Sequence, residues 1–372
     1  PFEGVANRTS AAILEKGRAT VYPVPYTVWR KSREGKAIPA ECSLEEVVDL
    51  TVRRHHVGEP IDRKDITSPW ITGRALAIQA IQPLMGDSPY HARKGVTPNA
   101  NAVYWMQILG RNPGGTVVIA NYTKGARRKA EEIQTAVEPD LLFPLLRGRD
   151  VSRWQATASL YMLAPQDREN PARPLTENSV ARDYPKTFRY LKHFESVLRS
   201  RRSSIDQHMM ATGPFYSIYG IGPYTFARWK VVWREIASDF LASVVGPVVD
   251  KCLGPRVVLP DHKLILVPFQ QEKEAHYLCA ALNSSPVRFV VRSYSIATQI
   301  GTHVLDHVRI PRFQLDSSLH QQLSSLSLEA HAATGAGDAA QVEAIEAEID
   351  HLAAQLWGLT EEELGEIQRN LE

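Results

Sequence analysis

The rhythm of apolar and polar positions changes character several times along the chain. Thr9 to Leu14 is a short apolar run, Glu15-Lys16-Gly17 a turn, and Thr20 to Val28 an alternating stretch, which predicts strand, turn and strand. Pro23 and Pro25 remove ladder donors, so the second stretch is an edge strand or an exit from a sheet. After a polar linker from Lys31 to Pro39, Ser43 and Glu46 form a capping box that opens a helix across SLEEVVDLTVRRHH. Between 70 and 290 the pattern is mixed. Thr116 to Ile119 and Val257 to Val267 read as strands, the latter interrupted by a polar break. Pro185 opens a helix, PKTFRYLKHFESVLRSRR, with Phe188, Leu191, Phe194 and Leu198 as its apolar stripe and Arg189, Lys192 and Arg199 on another face. A further helix, EAHYLCAALNS, starts near Glu274 and stops at Asn283-Ser284-Ser285-Pro286.

The last part is different in kind. Leu319, Leu323 and Leu326 set one helix, broken by Gly335-Ala336-Gly337-Asp338. Val342, Ile345, Ile349, Leu352 and Leu356 then recur at 3-4-3-4 spacing, the seam of a helix that packs on another helix. Thr360 with Glu363 caps a final helix to Leu371. The pattern as a whole predicts an α+β chain of mixed small sheets and helices with a C-terminal helical bundle.

Composition adds exclusions. At 372 residues, 44% hydrophobic and 23% charged, the chain is neither disordered nor fibrous, and it is long enough for more than one domain. No apolar run is long enough to span a membrane. Three scattered cysteines, Cys42, Cys252 and Cys279, point to reduced thiols and a cytoplasmic setting. The start at Pro1, with neither Met nor a signal-type n-region, is expected of a piece of a longer protein. The formal net charge of +2 conceals a division: residues 317–372 carry one Arg and eleven acids, hence −10, which leaves +12 on residues 1–316. Residues 146–234 alone hold fifteen Lys or Arg against seven acids. A basic body with an acidic appendage suggests a polyanion-binding surface on one part only, although surface charge also fluctuates without function.

Several blocks in order resemble the C-terminal half of adenine-specific DNA methyltransferases of restriction-modification type, above all single-chain enzymes that carry their own target recognition domain. PFEGVANRTSAAILEKG (1–17) is similar to the closing strands of the methyltransferase domain. HARKGVTPNANAVYWMQIL (91–109) resembles the block that precedes an aromatic strand: Gly95, Thr97, Asn99 and Tyr104-Trp105 fit, and Pro98 stands where glycine is usual. LLFPLLRGRDVSRW (141–154) carries the family's Leu-Arg-Gly-Arg-Asp block. FYSIYGIGPYTFARWKVVW (215–233) and EAHYLCAALNSSP (274–286) follow in the family's order. The resemblance implies closing strands of an α/β methyltransferase domain over 1–36, a target recognition domain over 37–316 and an acidic helical segment over 317–372. It implies duplex DNA as partner, and S-adenosylmethionine as cofactor of the parent enzyme, which would methylate N6 of a flipped adenine. The family's glycine-rich cofactor loop and its Asn-Pro-Pro-aromatic motif are not in this sequence. Asn112-Pro113-Gly114-Gly115 reads as a plain turn and gives a flipped base nothing to stack on. This stretch alone is therefore expected to be inactive and to hold no cofactor of its own.

The DNA-contact candidates are Arg147, Arg149, Arg153 and Trp154; Arg93, Lys94 and Asn99; Arg189, Lys192, Arg199, Arg201 and Arg202; and Arg228 with Lys230. Arginine forks suit phosphates or guanine edges. The alternative for the first group is that Asp150 pairs with one arginine and holds a corner of the fold; for the helix, a solvated basic face. Tyr216, Tyr219, Tyr224, Trp229 and Trp233 are either base-stacking or core. Arg53-Arg54-His55-His56 is a candidate metal or phosphate cluster, weak for metal because adjacent helical residues point about 100° apart. Two further classes stay open: a module that docks a partner subunit through 317–372, and a metal-dependent nuclease built on Asp261 with Gln271-Glu272-Lys273.

Overall fold

The computed structural model describes residues 11–32, 38–39, 41–294 and 299–371, in two compact units that divide at Ala75/Leu76. The block over 1–17 lies mostly outside the described residues. Residues 11–14 form no strand, whereas Lys16-Gly17 is the expected turn.

In the first unit, Val24–Lys31, Thr51–Pro60 and Trp70–Gly73 form an antiparallel sheet in that order. Val24–Lys31 is its edge, where Pro25 costs no ladder bond. The capping box forms as read, with Ser43 N donating to Glu46 Oε2 at 2.7 Å and Glu46 N to Ser43 Oγ at 3.2 Å. The helix it opens ends at Leu50, and TVRRHH belongs to the next strand. Pairing along the whole of Val24–Lys31 overrides the helical pattern from Thr51, where β-branched Thr51-Val52 favour the change.

The second unit is built on two sheets. The larger orders Leu259–Pro260, Leu142–Leu146, Leu160–Leu163, Trp105–Arg111, Val117–Asn121 and Gln134–Val137, antiparallel except at the first pair. The smaller orders Ala242–Val245, Trp229–Arg234, Leu264–Phe269 and Arg93–Lys94. The predicted Val257–Val267 strand is therefore two strands in different sheets, and its polar break Asp261-His262-Lys263 is the crossing point. Val103, Tyr104, Met106, Ile119, Leu145, Met162, Leu191 and Leu198 are fully buried in the main core. The Pro185 helix is two pieces, Pro185–His193 and Glu195–Arg199, and Glu272–Asn283 is followed at once by Ser285–Tyr294.

The α+β reading holds, with three C-terminal helices at Ser318–Ala336, Ala339–Trp357 and Glu361–Leu371. Gly337 at φ +76 and the Asp338 cap make the predicted break. Residues 317–371, read as an acidic helical segment, fall within the second compact unit. His331 accepts from Val244 N at 2.9 Å, Asp350 from Ser285 N at 2.6 Å, and Ser324 donates to Lys273 O at 2.9 Å. No helix among the described residues is long and apolar enough to cross a membrane.

Candidate nucleic-acid interface

Strand Leu142–Leu146 ends at Arg147, a single 3-10 turn covers Gly148–Asp150, and Arg153-Trp154 turn the chain between two short strands. Asp150 accepts from Arg147 N at 2.9 Å and Nε at 3.1 Å, and Arg147 Nη2 donates to Ser159 at 2.6 Å. Both side chains of this ion pair are about nine-tenths buried (9% and 8% exposed). Arg147 thus holds the corner, as the structural alternative had it. Arg153 donates to Glu346 Oε2 at 2.5 Å and to Asn283 O at 2.9 Å, while Trp154, buried at φ +59, donates Nε1–H to Glu346 Oε1 at 2.6 Å. Only Arg149 of the block is exposed.

The surroundings of Arg149 are cationic. A Cβ on Gly148 would lie 3.3 Å from Lys263 Cβ, so the turn rests on the exposed Lys263. Arg93–Lys94 pairs with Ile265–Leu266 in the same sheet, and Lys94 reaches Glu235 at 2.5 Å. Gly95 is obligatory here, since a Cβ would stand 2.1 Å from Asp261 O. Thr97 N donates to Tyr219 O at 2.9 Å, which brings half-exposed Tyr219 alongside. Asp261 lies beneath, its carboxyl pushed up to about 6 by burial against the pull of the Lys263 N–H. Burial together with Lys263 and Lys94 lowers His262. Arg93 acts on partly buried Tyr224, whose hydroxyl burial raises. The Arg149 turn thus rests on Lys263, Lys263 and Lys94 act together on His262, and Arg93 and Tyr219 act on Tyr224. Asn99, at φ +53, is engaged with Asp206 at 2.8 Å.

The helical candidates divide. Arg189 and Arg202 are exposed. Lys192 and Arg199 are exposed but share Glu195 at 3.0 and 2.8 Å. Arg201 is corrected: it is fully buried, its guanidinium spent on backbone carbonyls. Reasoning from sequence missed the loop with Lys124, Arg127, Arg128 and Lys129; Arg128 donates to Ser200 at 2.7 Å, which brings these cations to the end of the Arg199 helix. The ARRK run between two apolar strands was the available signal. Of the aromatic stretch, Tyr216 and Trp233 are core.

Lys230 is likewise corrected. It is 1% exposed, Nζ donates to Ala227 O at 2.6 Å, and burial pulls its pKa down to about 7, while neighbouring Arg228 is exposed. The unfolded chain holds more protons between about 7 and the ordinary lysine value of 10.5, so stability rises with pH across that window. K230M is expected to stabilise the fold by about 1–3 kcal/mol at pH 7 and to flatten that rise. Urea melts at pH 7 and 9.5 check this, and a destabilised variant contradicts it.

The nuclease arrangement does not assemble. Asp261 precedes and Gln271-Glu272-Lys273 follow strand Leu264–Phe269, roughly 20 Å of extended chain. Among the described residues no group of three His, Cys, Asp or Glu could hold a metal. His55 and His56, on a strand, point to opposite faces. Asn112–Gly115 is a hairpin turn, as read, with Asn112 N donating to Thr116 O at 2.8 Å.

No family model matches the sequence. The chain is 32% identical over 154 residues to the Type II methyltransferase M.NspV of Nostoc sp. (strain ATCC 29411 / PCC 7524), a match that covers 41% of this chain and 29% of that one. Among solved structures it is similar to the Type IIL restriction-modification enzyme MmeI in complex with DNA (TM-score 0.44, 10% identity, 76% of this chain and 35% of that one). The Type IIG restriction endonuclease BpuSI gives a TM-score of 0.38 at 11% identity, with 76% and 33% covered. The chain is homologous to a Type II methyltransferase, of whose length the match spans less than a third.

Proposed function

We propose that this chain reads duplex DNA for an N6-adenine methyltransferase of a restriction-modification or phage-defence system, with the S-adenosylmethionine domain elsewhere in the parent protein. The observation that carries the reading is the set of exposed cations along the Asp261 turn, with the Arg149 turn resting on Lys263, Arg93 and Lys94 on the adjoining strand, and Tyr219 bound at that strand's end through Thr97. In this reading Arg149 meets base edges. Arg189, Arg199, Arg202 and the Lys124–Lys129 loop fix register on phosphates, and Arg228 is a further cation at the surface. Homology to a methyltransferase supports the assignment. A docked partner subunit would meet the outward acids of the tail, Glu343, Glu348, Glu361 and Glu362, and is the weaker alternative.

Gel shifts with random and cognate duplexes across salt concentrations test the reading. Binding should weaken steeply with salt. R149A should cost about 1–3 kcal/mol on the cognate site, whereas R202A should weaken all duplexes alike and lower the salt slope by about 1. Undetectable or salt-independent binding of the unaltered chain at low ionic strength overturns it.

A further inference from the structure

The Arg53-Arg54-His55-His56 run finds no use as a metal site, and the strand that carries it suggests another. Trp70–Gly73 pairs only with Val57–Pro60. Residues 26–31 and 51–56 consequently form a two-stranded ribbon beyond the third strand. Register sets Thr27 opposite His55, Trp29 opposite Arg53 and Lys31 opposite Thr51 on one face, and Tyr26 opposite His56 and Val28 opposite Arg54 on the other. On the first face Thr27, Trp29, Lys31, Arg53 and His55 are all exposed. Trp29 is 46% exposed with the Arg53 guanidinium 4.0 Å from its ring centroid, a flat cationic plate held ready by stacking. The second face adds Arg30 and Arg54, which with Arg74 and burial lower His56.

Charge decides the kind of partner. Val24–Lys31 and 51–58 contain no carboxylate, and among the described residues none of Arg30, Lys31, Arg53 or Arg54 forms an ion pair. Of the acids in the connecting segment, Glu45, Glu46 and Asp49 lie on helix Leu44–Leu50 at the ribbon's end, Glu41 precedes that helix, and Glu34 lies outside the described residues. Two strands about 4.8 Å apart fit a major groove about 12 Å wide. We propose that this ribbon is a second nucleic-acid-binding element, which lays its Trp29–Arg53 face into a groove of duplex DNA. Lys31 and Arg53 neutralise phosphates, and Trp29 packs on the groove wall. The choice of DNA as the polyanion rests on the function proposed above; the surface itself does not.

The test uses the full chain and a random-sequence duplex of about 40 base pairs, long enough for several turns. K31Q/R53Q should weaken binding about tenfold and lower the slope of log affinity against log salt by about 1.8, two phosphate contacts' worth. K31R/R53K should restore most of both, and thermal melts should be unchanged. Unaltered affinity and slope in K31Q/R53Q, with R202A weakened on the same duplex, sink the ribbon and leave the proposed function standing. The converse pattern keeps the ribbon and removes Arg202 from the phosphate contacts. If the unaltered chain ignores duplexes at low salt, or prefers single strands, the groove-binding ribbon is wrong.

Discussion

R201M will unfold the second unit at a denaturant concentration well below that of the unaltered chain, with a loss of about 3–5 kcal/mol. Arg201 has no exposed surface. Nε donates to Leu198 O at 2.9 Å, Nη1 to Ser217 O at 2.7 Å and Pro98 O at 3.2 Å, and Nη2 to Phe215 O at 2.7 Å. One planar fork thus gathers three segments far apart in sequence. Removing it leaves buried carbonyls without donors, and also leaves Asp206, 3.6 Å away and nearly buried, without its counter-charge. R201K should rescue little, because an ammonium cannot reproduce the fork. Urea melts give the midpoint. An unchanged midpoint with weakened DNA binding would return Arg201 to the phosphate-contact group.

That outcome bears on what was legible beforehand. Ser43-Glu46, Gly337-Asp338 and the Val342–Leu356 seam act locally, so their sequence signals mapped onto caps, a break and a packed helix. The methyltransferase likeness was legible as well, and the homology to M.NspV bears it out. Arg201 and Arg202 look alike in sequence, yet one is buried and the other exposed. The difference comes from carbonyls at Pro98, Phe215 and Ser217, which no local pattern places nearby. Lys230 misleads for a related reason: Trp229–Arg234 is a central strand covered on both faces, so its polar position is not a surface position. The RRHH run looked helical because its cap was sound, and the edge strand that captured it lies earlier in the chain. Glu346 reads as a solvent-facing acid on an amphipathic helix. Its two oxygens instead fasten Arg153 and Trp154.

Removal of residues 317–372 will accordingly abolish the cooperative melt of the second unit rather than release an independent tail. Ser318–Ala336 packs on Glu272–Asn283, where His276 Nδ1 meets Ser327 at 3.0 Å, and Trp357 Nε1 donates to Arg309 O at 2.8 Å. Deletion leaves Ser285 N, Val244 N and the Arg153 guanidinium without carboxylate or imidazole partners, about 1–3 kcal/mol for each buried group. It also uncovers apolar surface around Tyr277 and Cys279. These costs add up to most of an ordinary domain's stability of about 5–15 kcal/mol. Cys279 is a convenient reporter, fully buried with its thiol pushed far up by desolvation. In a C42A/C252A background the intact chain should react slowly with a thiol reagent, and the 1–316 chain within seconds to minutes. Loss of DNA binding on deletion would then reflect unfolding. The acid's own contribution is read from E346Q, which keeps the fold while loosening the Arg153–Trp154 turn. A 1–316 chain that melts cooperatively with Cys279 still protected would make the acidic helices the dispensable appendage that their charge suggested, and would return them to the role of a partner-docking segment.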